Sequence, residues 1–120
     1  MMMLMAKGGP QPGVAVIDIA GLLARVESVR QVMLPALDEL VAKLGAAAAT
    51  DAEMDFAGLI KAAQQLLELD DLDMARTLNV SRPTIGRWIR GVSLPHPLAR
   101  RAICETLAKK AKGKIKLFQA

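Results

Sequence analysis

The stretch DLDMARTLNVSRPTIGRWIR, residues 71–90, restricts the fold more than any other part of the chain. No single helix can run through it. Asn79 is one of the few residues other than Gly that adopts the left-handed conformation of a tight turn. Ser81 is a preferred helix N-cap. Pro83 follows two residues later, in the first helical turn, where a missing amide hydrogen costs nothing. The pattern predicts a short helix over 71–78, a turn at Asn79–Val80 and a second helix from Arg82 to Arg90. Met74, Leu78, Val80, Ile85 and Trp88 fall where two such helices face each other, and Ala75 is small where they approach. Trp88, the single tryptophan, is thereby assigned to packing. Arg82, Arg87 and the hydroxyls of Ser81 and Thr84 are left pointing outward.

The remaining segments also read as helix. Ala, Leu and Met dominate and Tyr is absent, a bias that favours helices over sheets. An all-α fold is expected. Residues 1–13, with their Gly and Pro, read as a disordered N-terminus. Over 14–45, Leu22, Val26, Val29, Met33, Leu37, Leu40 and Leu44 recur at steps of three and four and line one helix face. Pro35 interrupts that run and predicts a kink or break near Met33–Leu34, with Gly45 as the C-cap. A further helix is expected over 50–69, with Thr50 and Glu53 at capping-box spacing and Phe56, Leu59, Ile60, Ala63, Leu66 and Leu67 on its apolar face. After the motif the chain turns at Gly91 and restarts near Pro97, with His96 as N-cap. Cys104, between Ile103 and Leu107, reads as a core filler. The end, KKAKGKIKLFQA, reads as a basic tail over 111–120, either an arm along a polyanion or, from the alternation in KIKLF, a strand.

Charge is divided sharply. Residues 1–73 hold five Lys/Arg against eleven Asp/Glu, a net of −6; residues 74–120 hold eleven Lys/Arg against one acid, Glu105, a net of +10. Such a split points to a cationic surface for a polyanion. One cysteine excludes a disulfide framework and a Cys-rich metal site, and fits a reducing, cytoplasmic compartment. The most apolar early stretch, GVAVIDIAGLLA, is too short to span a bilayer and contains Asp18. No nucleophile–base pair, carboxylate cluster, phosphate loop or metal-ligand spacing suggests an enzyme, and no cofactor or metal is expected. Exposed aromatic platforms for RNA are missing from the composition as well.

The unit at 71–90, followed by PHP and the apolar–basic run LARRAICETLAKKA, resembles the helix-turn-helix of the lambda-repressor/Cro-like DNA-binding family. The likeness spans residues 55–110. It implies an all-α helix-turn-helix domain, here over 50–110, with an extra N-terminal helical segment over 14–49. In that family the second motif helix enters the major groove. Carried across, Ser81, Arg82, Pro83, Thr84, Gly86, Arg87 and Arg90 occupy groove-facing or backbone-facing places. Arg87 suits a guanine edge, where two parallel donors meet O6 and N7. Arg90 suits a phosphate, as do Arg100 and Arg101, whose charges oppose the dipole of their own helix. Two residues depart from the pattern: Asn79 replaces the usual turn glycine, and Gly86 lies inside the recognition helix.

The resemblance implies a sequence-specific, double-stranded-DNA-binding transcriptional regulator of the nucleoid, acting as a homodimer that reads two half-sites. The apolar stripe over 14–49 then serves dimerisation, packing on the motif domain, or docking of another protein such as RNA polymerase. The competing reading keeps the fold and uses it on proteins, as an adaptor, an antitoxin or a mobile-element accessory factor.

Overall fold

The computed structural model describes residues 18–49 and 55–119, and all the regular structure among them is helical. Five helices follow in order: α1 (Ile19–Ala48), α2 (Phe56–Leu67), α3 (Asp71–Leu78), α4 (Arg82–Ile89) and α5 (Pro97–Gln119). The chain divides into two compact units, Met1–Val32 and Met33–Ala120.

The second unit contains the core. Leu37, Leu40, Leu44 and Ala47 of α1, Phe56, Ile60 and Ala63 of α2, Met74 and Ala75 of α3, Ile85 and Trp88 of α4, and Ile103, Cys104, Leu107 and Ala111 of α5 form one buried cluster. No polar or charged side chain among the described residues is buried with them. In this unit α4 packs on α2 and α3, and α5 packs on α2.

In the first unit the described residues are the opening half of α1. Asp18 caps it, accepting from the Gly21 amide at 3.0 Å. Ile19, Leu22, Leu23, Val26, Val29 and Val32 are all exposed there. The stripe read over 14–45 therefore has two fates. Its later residues enter the core and its earlier ones stay in solvent.

Four boundaries differ from those expected from sequence. First, α1 runs as one helix through Pro35, the unbroken one of the two alternatives that the proline left open, and it ends at Ala48, so Gly45 lies inside it and is not its C-cap. Proline removes a single backbone bond and crowds one turn, at a cost of about 3 kcal/mol. Burying Leu37, Leu40 and Leu44 in the turns beyond, at about 1.5–3 kcal/mol each, more than offsets that. Second, α2 begins at Phe56, and its N-cap is Asp55, which accepts from the Gly58 amide at 2.9 Å. The Thr50–Glu53 box lies outside the described residues, as do residues 1–13. Third, α5 continues through Gly113 to Gln119, so the basic run to Lys116 is helical and not a strand or an extended arm. Ala111 is fully buried, and Ile115 and Phe118 extend the same stripe onto the core. Lys114 fastens the end by donating to the Leu66 carbonyl at 2.6 Å and to Glu68 at 3.0 Å. Fourth, the core needs the second half of α1, so the folded body is larger than 50–110.

Phe56 holds α2 against α4. Its ring meets Trp88 edge-on, with centroids 5.6 Å apart and planes at 81°. Phe56→Ala should destabilise the chain by about 3–5 kcal/mol in a urea titration, a large share of the stability of a small domain.

Candidate nucleic-acid interface

The geometry of the 71–90 unit starts from Asp70. It caps α3, accepting from the Asp73 amide at 2.7 Å, while the Asp73 carboxylate accepts from the Asp70 amide at 3.3 Å. Gln64 of α2 donates to Asp71 at 2.7 Å and ties the two helices. At the far end Asn79 takes the left-handed conformation, φ 57° and ψ 47°. The Val80 amide then bonds back to the Ala75 carbonyl at 3.0 Å, which closes α3 and turns the chain within three residues.

Ser81 is extended, with φ −77° and ψ 152°, and its hydroxyl accepts from the Thr84 amide at 3.3 Å. Pro83 sits in the first turn. Ile85 and Trp88 are buried on one side. Ser81, Arg82, Pro83, Arg87 and Arg90 are exposed on the other, and Thr84 and Gly86 lie at its edge. Gly91, at φ 71°, ends the helix. The Gly91 amide bonds to the Trp88 carbonyl at 3.1 Å and the Val92 amide to the Arg87 carbonyl at 3.0 Å, the paired closure of a Schellman motif.

The structure joins three of these side chains. The Ser81 and Thr84 hydroxyls lie 2.7 Å apart, and Arg87 Nη2 donates to Thr84 Oγ1 at 3.1 Å. This chain steadies the Arg87 guanidinium, whose remaining donors bond to nothing among the described residues. Sequence reading placed all three on one face but missed the link, although the 81–84–87 spacing of one helical turn per step carries it. Gly86 has a definite neighbour too: a methyl added there would lie 3.1 Å from Arg90 Nη1. The glycine leaves room for the Arg90 side chain to lie back along the helix.

Arg82, Arg87 and Arg90 take part in no ion pair among the described residues. Asp70 is held below the usual carboxylate range, first by the hydrogen bond from the Asp73 amide, with smaller help from the charge of Arg82.

Arg100 and Arg101 are placed differently. Arg101 Nε donates to the Ala48 carbonyl at 3.1 Å and so closes the C-terminus of α1. It lines an open cleft of about 650 Å³ between the end of α1 and α5, together with Leu44, Cys104 and Lys112. Arg100 is half-buried. Burial pushes the Cys104 thiol up, and the charge of Arg100 only partly opposes this. His96 caps α5, its Nδ1 accepting from the Leu98 amide at 3.1 Å. No helix among the described residues is long and apolar enough to cross a membrane.

Comparison with protein-family models, with curated proteins and with solved structures returned no match.

Two outcomes follow from this geometry. Gly86 has ordinary helical φ, and Arg90 meets it only with the tip of a flexible side chain. Gly86→Ala should therefore stabilise the free protein by up to about 1 kcal/mol in thermal or urea unfolding. The Asp70 effect is one of pH. Because its folded pKa is depressed, the cap contributes stability above the carboxylate's unfolded range and loses it as pH falls through the folded value. The gap in Tm between the native chain and Asp70→Asn should thus be constant near neutrality and close below pH 3.8.

Proposed function

We propose that the chain is a sequence-specific, double-stranded-DNA-binding regulator whose α3–turn–α4 unit is a helix-turn-helix of the lambda-repressor type, with α4 as the helix that enters the major groove. The observation that carries this reading is the division of α4. Ile85 and Trp88 lock one face into the core, while the opposite face presents Ser81, Arg82, Thr84, Arg87 and Arg90 to solvent with no acid among them.

Each group has a task suited to its chemistry. Arg87, steadied by Thr84, offers the planar fork that bonds guanine O6 and N7. Ser81, Arg82 and Thr84 stand at the N-terminal end, the part of such a helix set deepest against the bases. Pro83 keeps that first turn rigid, and Gly86 keeps the middle of the face shallow. Arg90, lying back over Gly86, reaches toward the strand backbone, where contacts set register and affinity rather than sequence. The excess of Lys and Arg on α5 adds a long-range field that attracts a polyanion. Arg100 is a phosphate contact in this reading. Arg101 serves phosphate only through the donors left beyond its bond to Ala48.

Selection of duplexes from a random pool by the purified protein, with the bound fraction sequenced, tests the proposal. An enriched motif is the expected result. Absence of any salt-sensitive duplex binding would transfer the arginine face to a protein partner and leave the adaptor reading in front. With ~4 phosphates neutralised per chain, log Kd should change with log salt at a slope of about 4 in magnitude per bound chain. Arg87→Ala should cost about 1–3 kcal/mol on the selected site and relax one base position. Arg90→Ala should weaken selected and random duplexes alike.

A further inference from the structure

We propose that the cleft between the end of α1 and α5 binds a small amphipathic anion, a carboxylate carried on an apolar chain. At about 650 Å³ the cleft has the size that small-molecule sites take, roughly 300–1,000 Å³. Its floor is apolar: Leu44 and Cys104 are each 1% exposed, and Ala48 and Ala108 stand beside them. Its charged residues are Arg101, Lys109 and Lys112 against a single acid, Glu105. None of the four enters an ion pair among the described residues, although Glu105 stands four residues from both Arg101 and Lys109, a spacing at which helical pairs form. The cleft therefore sets a positive field over an apolar surface. The solute that satisfies both is an anion with an apolar body.

Arg101 anchors the head group. Its Nε donates to the Ala48 carbonyl at 3.1 Å. That bond restrains the guanidinium and occupies a helix-end oxygen that would otherwise repel an anion. The two Nη groups bond to nothing among the described residues, and they are the donors from which a carboxylate accepts. From Arg101 the wall formed by α5 runs past Cys104 and Ala108 to Lys112, eleven residues or about 16 Å further on, a length that suits an extended alkyl chain. Gly45 forms part of the opposite wall. It lies inside α1, where glycine is less favourable than alanine. A Cβ there would meet nothing within 4 Å, so the packing of the chain itself does not call for the glycine. Its bare backbone leaves that side of the cleft open.

This inference does not rest on DNA binding, and its test contains no DNA. Decanoate titrated into the full chain should bind saturably, with a Kd of about 1 mM or tighter, and should shift the amide resonances of residues 44–48 and 101–112. Decyltrimethylammonium, with the same chain and the opposite charge, should bind about ten-fold more weakly. Arg101→Gln should weaken decanoate binding about ten-fold. Lys112→Gln, which removes no helix cap, should weaken it about three-fold. Gly45→Leu should abolish the amide shifts while raising Tm, because leucine is the better helix residue and its side chain takes up cleft volume. Absence of saturable binding, equal binding of the two decyl ions, or amide shifts centred on the exposed stripe from Ile19 to Val32 would each overturn the site. So would a Gly45→Leu chain that stays folded and binds decanoate as the native chain does.

Discussion

The edge-on contact of Phe56 with Trp88 is the constraint on which the rest depends. A helix of eight residues has too little internal bonding to persist in water by itself. Helix α4 exists because Trp88 and Ile85 are buried, and the ring of Phe56 at the start of α2 completes the pocket that takes the indole. That contact fixes which face of α4 is inside. Since successive positions on a helix are separated by a fixed rotation, it also fixes which face is outside. The arginines therefore owe their placement to the tryptophan among them.

Short helices leave many backbone groups unpaired, and this chain satisfies them locally. Three successive helices, α2, α3 and α4, close through a left-handed residue, and in turn these are Glu68, Asn79 and Gly91. Only the last is glycine. Glu68 holds a conformation that costs an ordinary side chain roughly 1–2 kcal/mol, and Lys114 reaches it from α5 while also taking the Leu66 carbonyl. Arg101 does the same for α1 at Ala48. Two basic residues of the C-terminal half thus act as helix caps on other elements. The charge asymmetry of the chain is therefore partly architectural and not wholly a ligand-facing field.

How far the residues disclosed the structure depended on the range of the interactions concerned. The 71–90 unit was legible because everything that shapes it is local: Asn79, Ser81 and Pro83 act within one turn of themselves, and the 3.6 period sorts Ile85 and Trp88 from Arg82 and Arg87. The caps at Asp55 and Asp70 were equally local but were hidden by rival acids nearby. The Asp70–Asp73 spacing is the same box that was sought at Thr50–Glu53. Boundaries that depend on tertiary burial were not legible. Helix α1 passes Pro35 because Leu37, Leu40 and Leu44 have somewhere to go. Helix α5 outlasts Gly113 and the lysines because Ala111, Ile115 and Phe118 meet a core formed largely by residues far away in sequence. A lysine-rich run read alone carries no sign of that. The roles of Arg101 and Lys114 were out of reach for the same reason, since each bond spans more than forty residues.

The arrangement at Ser81, Thr84 and Arg87 bears on how an exposed arginine can be selective. A free arginine on a surface samples many rotamers, and ordering it on contact costs up to about 2 kcal/mol. The bond from Arg87 to Thr84, itself held by Ser81, reduces the freedom to be lost before any partner arrives. Arg90, lying over Gly86, has no such side-chain acceptor among the described residues, and it keeps the mobility suited to a phosphate, whose oxygens accept from several directions. The two arginines differ little in composition or exposure. They differ in what stands one turn before them, a hydroxyl in one case and a bare glycine in the other. In the proposed DNA-binding reading, the placement of Thr84 and Gly86 would make Arg87 on α4 the reader of shape-specific acceptors and Arg90 at its C-cap a less exacting electrostatic contact.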